Sequence, residues 1–327
     1  MDRKTRSHLI ATIIAMITMG VAGGSALAGG LLAVEFNPVN FSNPRVLDND
    51  YWPLLPGGVP TTFIYLGETE DGCVFDKITA DPANMKPFAD SEAGYEFYDG
   101  IIAQVVVDRE WELEDVDCEY VLDMLDGDPG WEPDAEDLGE WTDDWYIQDN
   151  DENIWYMGEA SRDFGDVEID EVEVECPSID DVMLGAPVED WDSEELFLEC
   201  TGGSWEAGQL GQEDGEIVGE AGIVVPGDFP LGLGGDPLSA GNYWMQEVAE
   251  GAEDMAKALQ LKASVAVEDG QFAEEDFENC RKIKEWNPIE HGESVEHKYY
   301  CAGPGLLLIE GIGGGPTESE VLIISMP

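Results

Sequence analysis

The sequence predicts a mainly β protein. Short segments rich in Val, Ile, Thr, Tyr and Trp recur along its length, and Gly-, Pro-, Asn- and Asp-rich stretches separate them. Hydrophobic residues make up 43% of the 327, including ten Trp, ten Tyr and eleven Phe, enough for a packed core. Two aromatic arms flank a polar tip at residues 141–159 (WTDDWYIQDNDENIWYMGE), the pattern of a β-hairpin.

Taken in order, the chain opens with a targeting segment. Arg3, Lys4 and Arg6 precede an apolar run at 9–21, and Ser25-Ala26-Leu27-Ala28 supplies an A-x-A cleavage site. This predicts a signal peptide over 1–28 and a single exported domain over 29–327, periplasmic or extracellular. No cysteine precedes Cys73, which argues against lipid attachment at the cleavage site. No later segment is apolar for long enough to span a bilayer as a helix.

Residues 61–66 and 73–79 read as paired strands around the Asp71-Gly72 turn signal. Residues 80–100, with Pro82 and Pro87, read as loop. Residues 101–111 and 118–124 read as strands, and 126–140 as an acidic loop. In the central hairpin, a loop at 149–153 makes Gln148 face Ile154. Alternation then puts Trp145, Ile147, Trp155 and Met157 on one face and Tyr146, Gln148, Ile154 and Tyr156 on the other. Rings on both faces predict a strand pair that is covered on both sides.

Residues 166–200 are hyperacidic, with short strand candidates at 167–174 and 196–198. Residues 202–241 are Gly-rich, but no G-x-x-x-x-G-K-[ST] phosphate loop occurs. Residues 249–261 suit helix or strand, and 263–267 is a strand. A hairpin follows at 277–286 and 295–301, then strands at 306–311 and 320–325.

The charge excludes some partners. Seventy-three Asp and Glu stand against 14 Lys and Arg, a net charge of −59, and residues 1–28 hold three of those cations. Nucleic acid and anionic membrane surfaces are repelled. A solvated acidic surface suited to a salty medium explains the carboxylates better than cation binding, because they run along the whole chain.

All six cysteines lie beyond the leader, so up to three disulfides are expected, with fifteen possible pairings. The last hairpin brings Cys280 opposite Cys301. Cys176 and Cys200 bracket the hyperacidic stretch, and Cys73–Cys118 follows by elimination.

Several blocks carry a resemblance: DNDYWPLLPG, DDWYIQDNDENIWYMGE, GSWEAG, AEDMA and EHKYYCAGPGLLL, in that order. They resemble a family of uncharacterised secreted bacterial proteins with N-P-Y-F-P-L-x-P-G, D-W-Y-A-Q-D-x-x-G-N-V-W-Y-x-G-E and K-Y-Y-A-P-G-V-G-L-V blocks. The YYCAGPGL ending is also similar to periplasmic domains built like the lipoprotein-carrier half-barrel. The resemblance implies a large curved antiparallel sheet, a half-barrel or open barrel, with few or no helices besides the leader and with strand over 252–267. Glu152 and Cys301 depart from the family's Gly and Ala, and 166–200 looks like an insertion. The resemblance implies no reaction.

Candidate chemistry is sparse. Asp149, Asp151 and Asn153 alternate along the hairpin tip as oxygens do in calcium loops, but Ile154 stands where such loops need Gly, and no carboxylate occupies the twelfth position. Beyond the leader only His291 and His297 remain, and no G-x-S-x-G occurs. Tyr146, Tyr156 and Trp205, with Glu253 of the AEDMA block, are candidates for a ligand pocket. The expected function is a non-enzymatic exported binding protein for a hydrophobic or amphipathic small molecule, with no cofactor. The alternatives are a calcium-responsive structural protein and, last, a hydrolase using paired carboxylates such as Glu253 and Asp254.

Overall fold

A computed structural model describes residues 31–32, 36–69, 72–88, 98, 100–164, 166–169, 172–175, 204–208, 219–227, 238–249, 254–267, 275–288, 295–312 and 319–326. The expected leader at 1–28, Glu253, His291, the expected Cys176–Cys200 pairing and the 196–198 strand candidate lie outside these residues.

The strands are β1 (Thr61–Glu68), β2 (Gly72–Phe88), β3 (Ile101–Glu114), β4 (Leu138–Gln148), β5 (Ile154–Asp163), β6 (Asp166–Ile169), β7 (Val172–Glu175), β8 (Trp205–Glu206) and β9 (Gly219–Val225). They continue as β10 (Tyr243–Met245), β11 (Glu247–Ala249), β12 (Met255–Val267), β13 (Glu275–Trp286), β14 (Val295–Cys301), β15 (Gly305–Gly311) and β16 (Ser319–Met326). All but β6 and β7, which pair with each other, belong to one antiparallel sheet ordered β10-β12-β13-β14-β15-β16-β1-β2-β3-β4-β5-β9-β11, with β8 added beside β5. The protein is therefore mainly β, as expected.

The sheet is nearly closed on itself. Its end strands, β10 and β11, are consecutive in the chain and separated only by Gln246. One short segment thus pairs with β12 on one side and β9 on the other. Gln246 Nε2 donates to the Val224 carbonyl, and Trp244 Nε1 donates to that of Ile223 at 2.7 Å. Gly222 makes this seam possible, because a Cβ there would stand 2.0 Å from the Gln246 carbonyl oxygen. A barrel leaves few unpaired strand edges, which removes a template for aggregation.

Two findings correct the expected element pattern. Residues 118–124 are not a strand. They lie in α1 (Cys118–Gly127), the single α-helix among the described residues. Asp117 caps it by accepting from the Glu119 amide, and Cys118, Val121 and Leu125 form its buried stripe. The apolar letters suited a strand, but their spacing and the cap decide for helix. Residues 80–88 are not loop. They continue β2 past Pro82, and an irregularity in the pairing between Ala80 and Met85 absorbs the missing donor.

Other expectations hold. β1 and β2 pair with each other, from Thr61 opposite Ala80 to Glu68 opposite Cys73, and β12 is a strand. Gln148 faces Ile154, Ile147 faces Trp155 and Tyr146 faces Tyr156, although a bulge shifts the register between Asp144 and Tyr146. Disulfides join Cys73 to Cys118 and Cys280 to Cys301. The first ties α1 to β2 across the smaller of two apolar clusters, built on Ile64, Leu66, Phe75, Trp111 and Leu113. The larger cluster takes in the opposite sheet face and the irregular lead-in, where Leu47, Trp52, Leu54 and Leu55 are buried.

Candidate functional site

The central hairpin builds the site. Tyr146 and Tyr156 stack with ring centroids 4.9 Å apart and planes at 18°. Trp205, carried by β8, stands edge-on to Tyr156 at 5.4 Å. Gly158 lets β8 approach, since a Cβ there would lie 2.2 Å from the Trp205 carbonyl oxygen, and its φ of +124° suits glycine. Three of the rings singled out in the sequence thus form one row. Trp52 closes the far end, edge-on to Tyr146 at 5.1 Å and to Tyr300 at 6.2 Å. Tyr146, Tyr156 and Trp205 are each only 5–6% exposed.

The other hairpin face is equally covered. Trp155 meets Phe36 and Phe41 of the lead-in, and Trp145 lies against Phe88 and beneath the Lys86 ammonium, 4.2 Å from its ring centroid.

The aromatic row ends on acids. The Tyr156 hydroxyl lies 2.6 Å from Asp144 Oδ1 and also within hydrogen-bond reach of Glu159 Oε2. Asp144 and Glu159 face each other across β4 and β5. A single phenol proton cannot serve both carboxylates, so one acid must hold a proton of its own. Burial raises the pKa of each. Glu159 is pushed up to about 7, and Asp144 is raised further by the adjacent Glu159 charge. Glu247, at the barrel seam, is raised by burial and then by Glu159 and Asp254.

These acids continue in a row that only the strand register reveals. Asp76 faces Glu110, Glu110 faces Glu140, and Glu140 faces Asp163. Asp108, two residues from Glu110 on the same face, is paired with Thr142, which is paired with Ser161. Burial pushes Glu110 up to about 9 and Asp163 to about 6. Lys298 of β14 acts on Asp108 of β3 and on Glu247 of β11. Those strands are not neighbours in the sheet, so the acids and Lys298 share the barrel interior. Sequence reasoning missed this row because carboxylates are dense everywhere. The signal lay in the register: Glu140 and Asp163 flank the hairpin at mirrored positions.

The hairpin tip uses its acid differently. Asp149 is 6% exposed and Asn153 is 2% exposed. Asp149 Oδ1 accepts from the amides of Asp151 and Asn153, both at 2.9 Å, while Oδ2 accepts from Asn153 Nδ2 at 2.8 Å and Trp155 Nε1 at 2.9 Å. Asn153 Oδ1 in turn accepts from the Gly227 amide. A shallow polar cleft of about 250 Å³ lies beside the tip, with Ser42, Asn43 and Glu152 in its wall. Among the described residues, no three His, Cys, Asp or Glu side chains are gathered round one metal-sized centre. No described helix is long and apolar enough to cross a membrane.

No family model matches the chain, and no curated protein matches it. Among solved structures, it is similar to a proposed lipoprotein from Parabacteroides distasonis, with 8% identity and a TM-score of 0.33, over 85% of this chain and 99% of the other. It is also similar to a proposed exported protein with YmcC-like fold from Bacteroides fragilis, with 9% identity and a TM-score of 0.29, over 82% of this chain and 95% of the other. Superpositions this loose carry no argument about what the chain does.

Proposed function

We propose that this is an exported, non-enzymatic binding protein for a small hydrophobic or amphipathic molecule. The observation that carries the reading is the row Trp205–Tyr156–Tyr146, in which the distant β8 brings Trp205 onto the two hairpin tyrosines beside Asp144 and Glu159. An amphipathic ligand would set its apolar body against the rings and its polar end toward the acids. Because the rings are covered, entry requires Trp205 and its short strand to move; β8 makes only two residue pairs with β5. The two disulfides fit an oxidising compartment.

Native mass spectrometry of the chain purified without detergent tests the reading. A co-purified mass that Trp205→Ala or Tyr156→Phe releases supports it. Bare protein that also fails to take up a fluorescent apolar probe rejects it.

A further inference from the structure

Trp205 carries a hydrogen-bond donor that the protein leaves unused. The residue is only 5% exposed, and its Nε1 is buried without an acceptor among the described residues. A buried donor without a partner costs free energy, so few persist in folded proteins. Acceptors stand close by. Glu159 is directly opposite Trp205 in the pairing of β5 with β8, and opposed strand residues hold their Cβ atoms about 4.5–5.5 Å apart. Yet Glu159 gives its carboxyl to the Tyr156 hydroxyl, as Asp144 does. On its other edge the indole packs against β9, where a Cβ at Gly219 would come within 3.3 Å of Cε3. Nε1 lies on the edge opposite Cε3 and is therefore turned away from Gly219.

The same place is short of a proton. Tyr156 has one hydroxyl hydrogen for two carboxyls, so carboxylate oxygens are left over. A ligand group that answers both needs must accept from Trp205 Nε1 and donate to those oxygens. A hydroxyl does both, with one donor and two acceptor lone pairs. An ammonium has donors alone and would leave the indole N–H unpaired. A carboxylate has acceptors alone, and it would bring a further negative charge beside Asp144 and Glu159, which already oppose each other across β4 and β5. The stacked rings of Tyr146 and Tyr156 supply the apolar wall for the rest of the molecule.

We propose that the aromatic row takes an uncharged amphiphile whose polar end is a hydroxyl, seated between Trp205 Nε1 and the Asp144 and Glu159 carboxyls once β8 has admitted it. The proposal rests on the reading of the row as a binding site and fixes the chemistry of the ligand's polar end.

Displacement of a fluorescent apolar probe from the full exported chain by decanol, decanoate and decylamine tests it. The measurement is made at about pH 6, below the value of about 7 to which burial pushes Glu159, so that the site keeps its proton. Decanol should bind at least about tenfold tighter than either charged compound. Trp205→Phe should erase that lead, because phenylalanine keeps an apolar ring and lacks the donor. In nuclear magnetic resonance, the indole N–H signal that Trp205→Phe removes should move downfield when decanol is added. If neither the fluorescent probe nor any of the three compounds binds, the binding reading itself falls, and this proposal with it. If they bind but a charged compound equals or beats decanol, or Trp205→Phe leaves the lead intact, the hydroxyl assignment is overturned and the binding reading stands. An indole signal that bound decanol does not move has the same meaning. Should Trp205→Phe not fold, the order of the three compounds on the unmodified chain decides.

Discussion

Glu152 adopts φ +65°, the left-handed region that glycine enters without strain. Replacing Glu152 with Gly should raise stability by up to about 1 kcal/mol, measured by urea unfolding, since an L side chain costs roughly 1–2 kcal/mol in this region and glycine's greater unfolded-state freedom takes some back. Asp149 behaves in the opposite sense. Its carboxylate accepts four hydrogen bonds, so Asp149→Ala would leave the buried Trp155 Nε1–H and Asn153 donors without an acceptor. A loss of about 3 kcal/mol is expected in the same measurement. These two neighbours were legible to different degrees. The tip composition spoke for a polar turn, but only coordinates show that Asp149 faces inward to its own hairpin.

At the level of elements, the hairpin register was readable because loop length fixes which residues face each other, and 149–153 proved to be the loop. α1 was misread because Val121, Tyr120 and Cys118 are residues at home in strands. Its Asp117 cap and the 118–121–125 spacing were the better guides. The run of β2 past Pro82 was unreadable for another reason: an irregularity in pairing leaves no mark in composition. The acid row needed the register of three strand pairs at once, which no local pattern supplies. The Cys73–Cys118 bridge joins residues 45 apart in sequence, while Cys280–Cys301 spans 21 and joins strands already paired. Chain entropy assigns the first about 4 kcal/mol and the second about 3 kcal/mol. Cys73→Ala/Cys118→Ala should therefore lower the unfolding free energy more than Cys280→Ala/Cys301→Ala, compared by denaturant titration under oxidising conditions.

For the whole molecule, the interior acids set an unusual pH response. Glu110, Glu159 and Asp163 have folded pKa values of about 9, about 7 and about 6, each raised by burial. A raised carboxyl pKa means that the folded state binds its proton more tightly than the unfolded chain does. The associated stability is fully present below the unfolded value of about 4 and is lost as pH rises through the folded values. Self-repulsion at a net charge of −59 acts in the same direction. Thermal melts should show a midpoint that falls steadily between about pH 5 and pH 9, and added potassium chloride should flatten the slope by screening. A midpoint that rises with pH over this range would show that the interior acids are neutralised in some other way.

The pairing of β1 with β16 has a consequence in time. A chain leaves the ribosome N-terminus first, so the first strand of the barrel waits for almost the entire polypeptide before one of its two partners exists. Until then, β1 presents an unfinished border, while its other partner β2 and the strands that meet at Gln246 are already made. Contacts this distant in sequence make folding slow. The acidic composition then has a use before any native structure forms, because nascent chains that repel one another remain apart while they wait for their last strand.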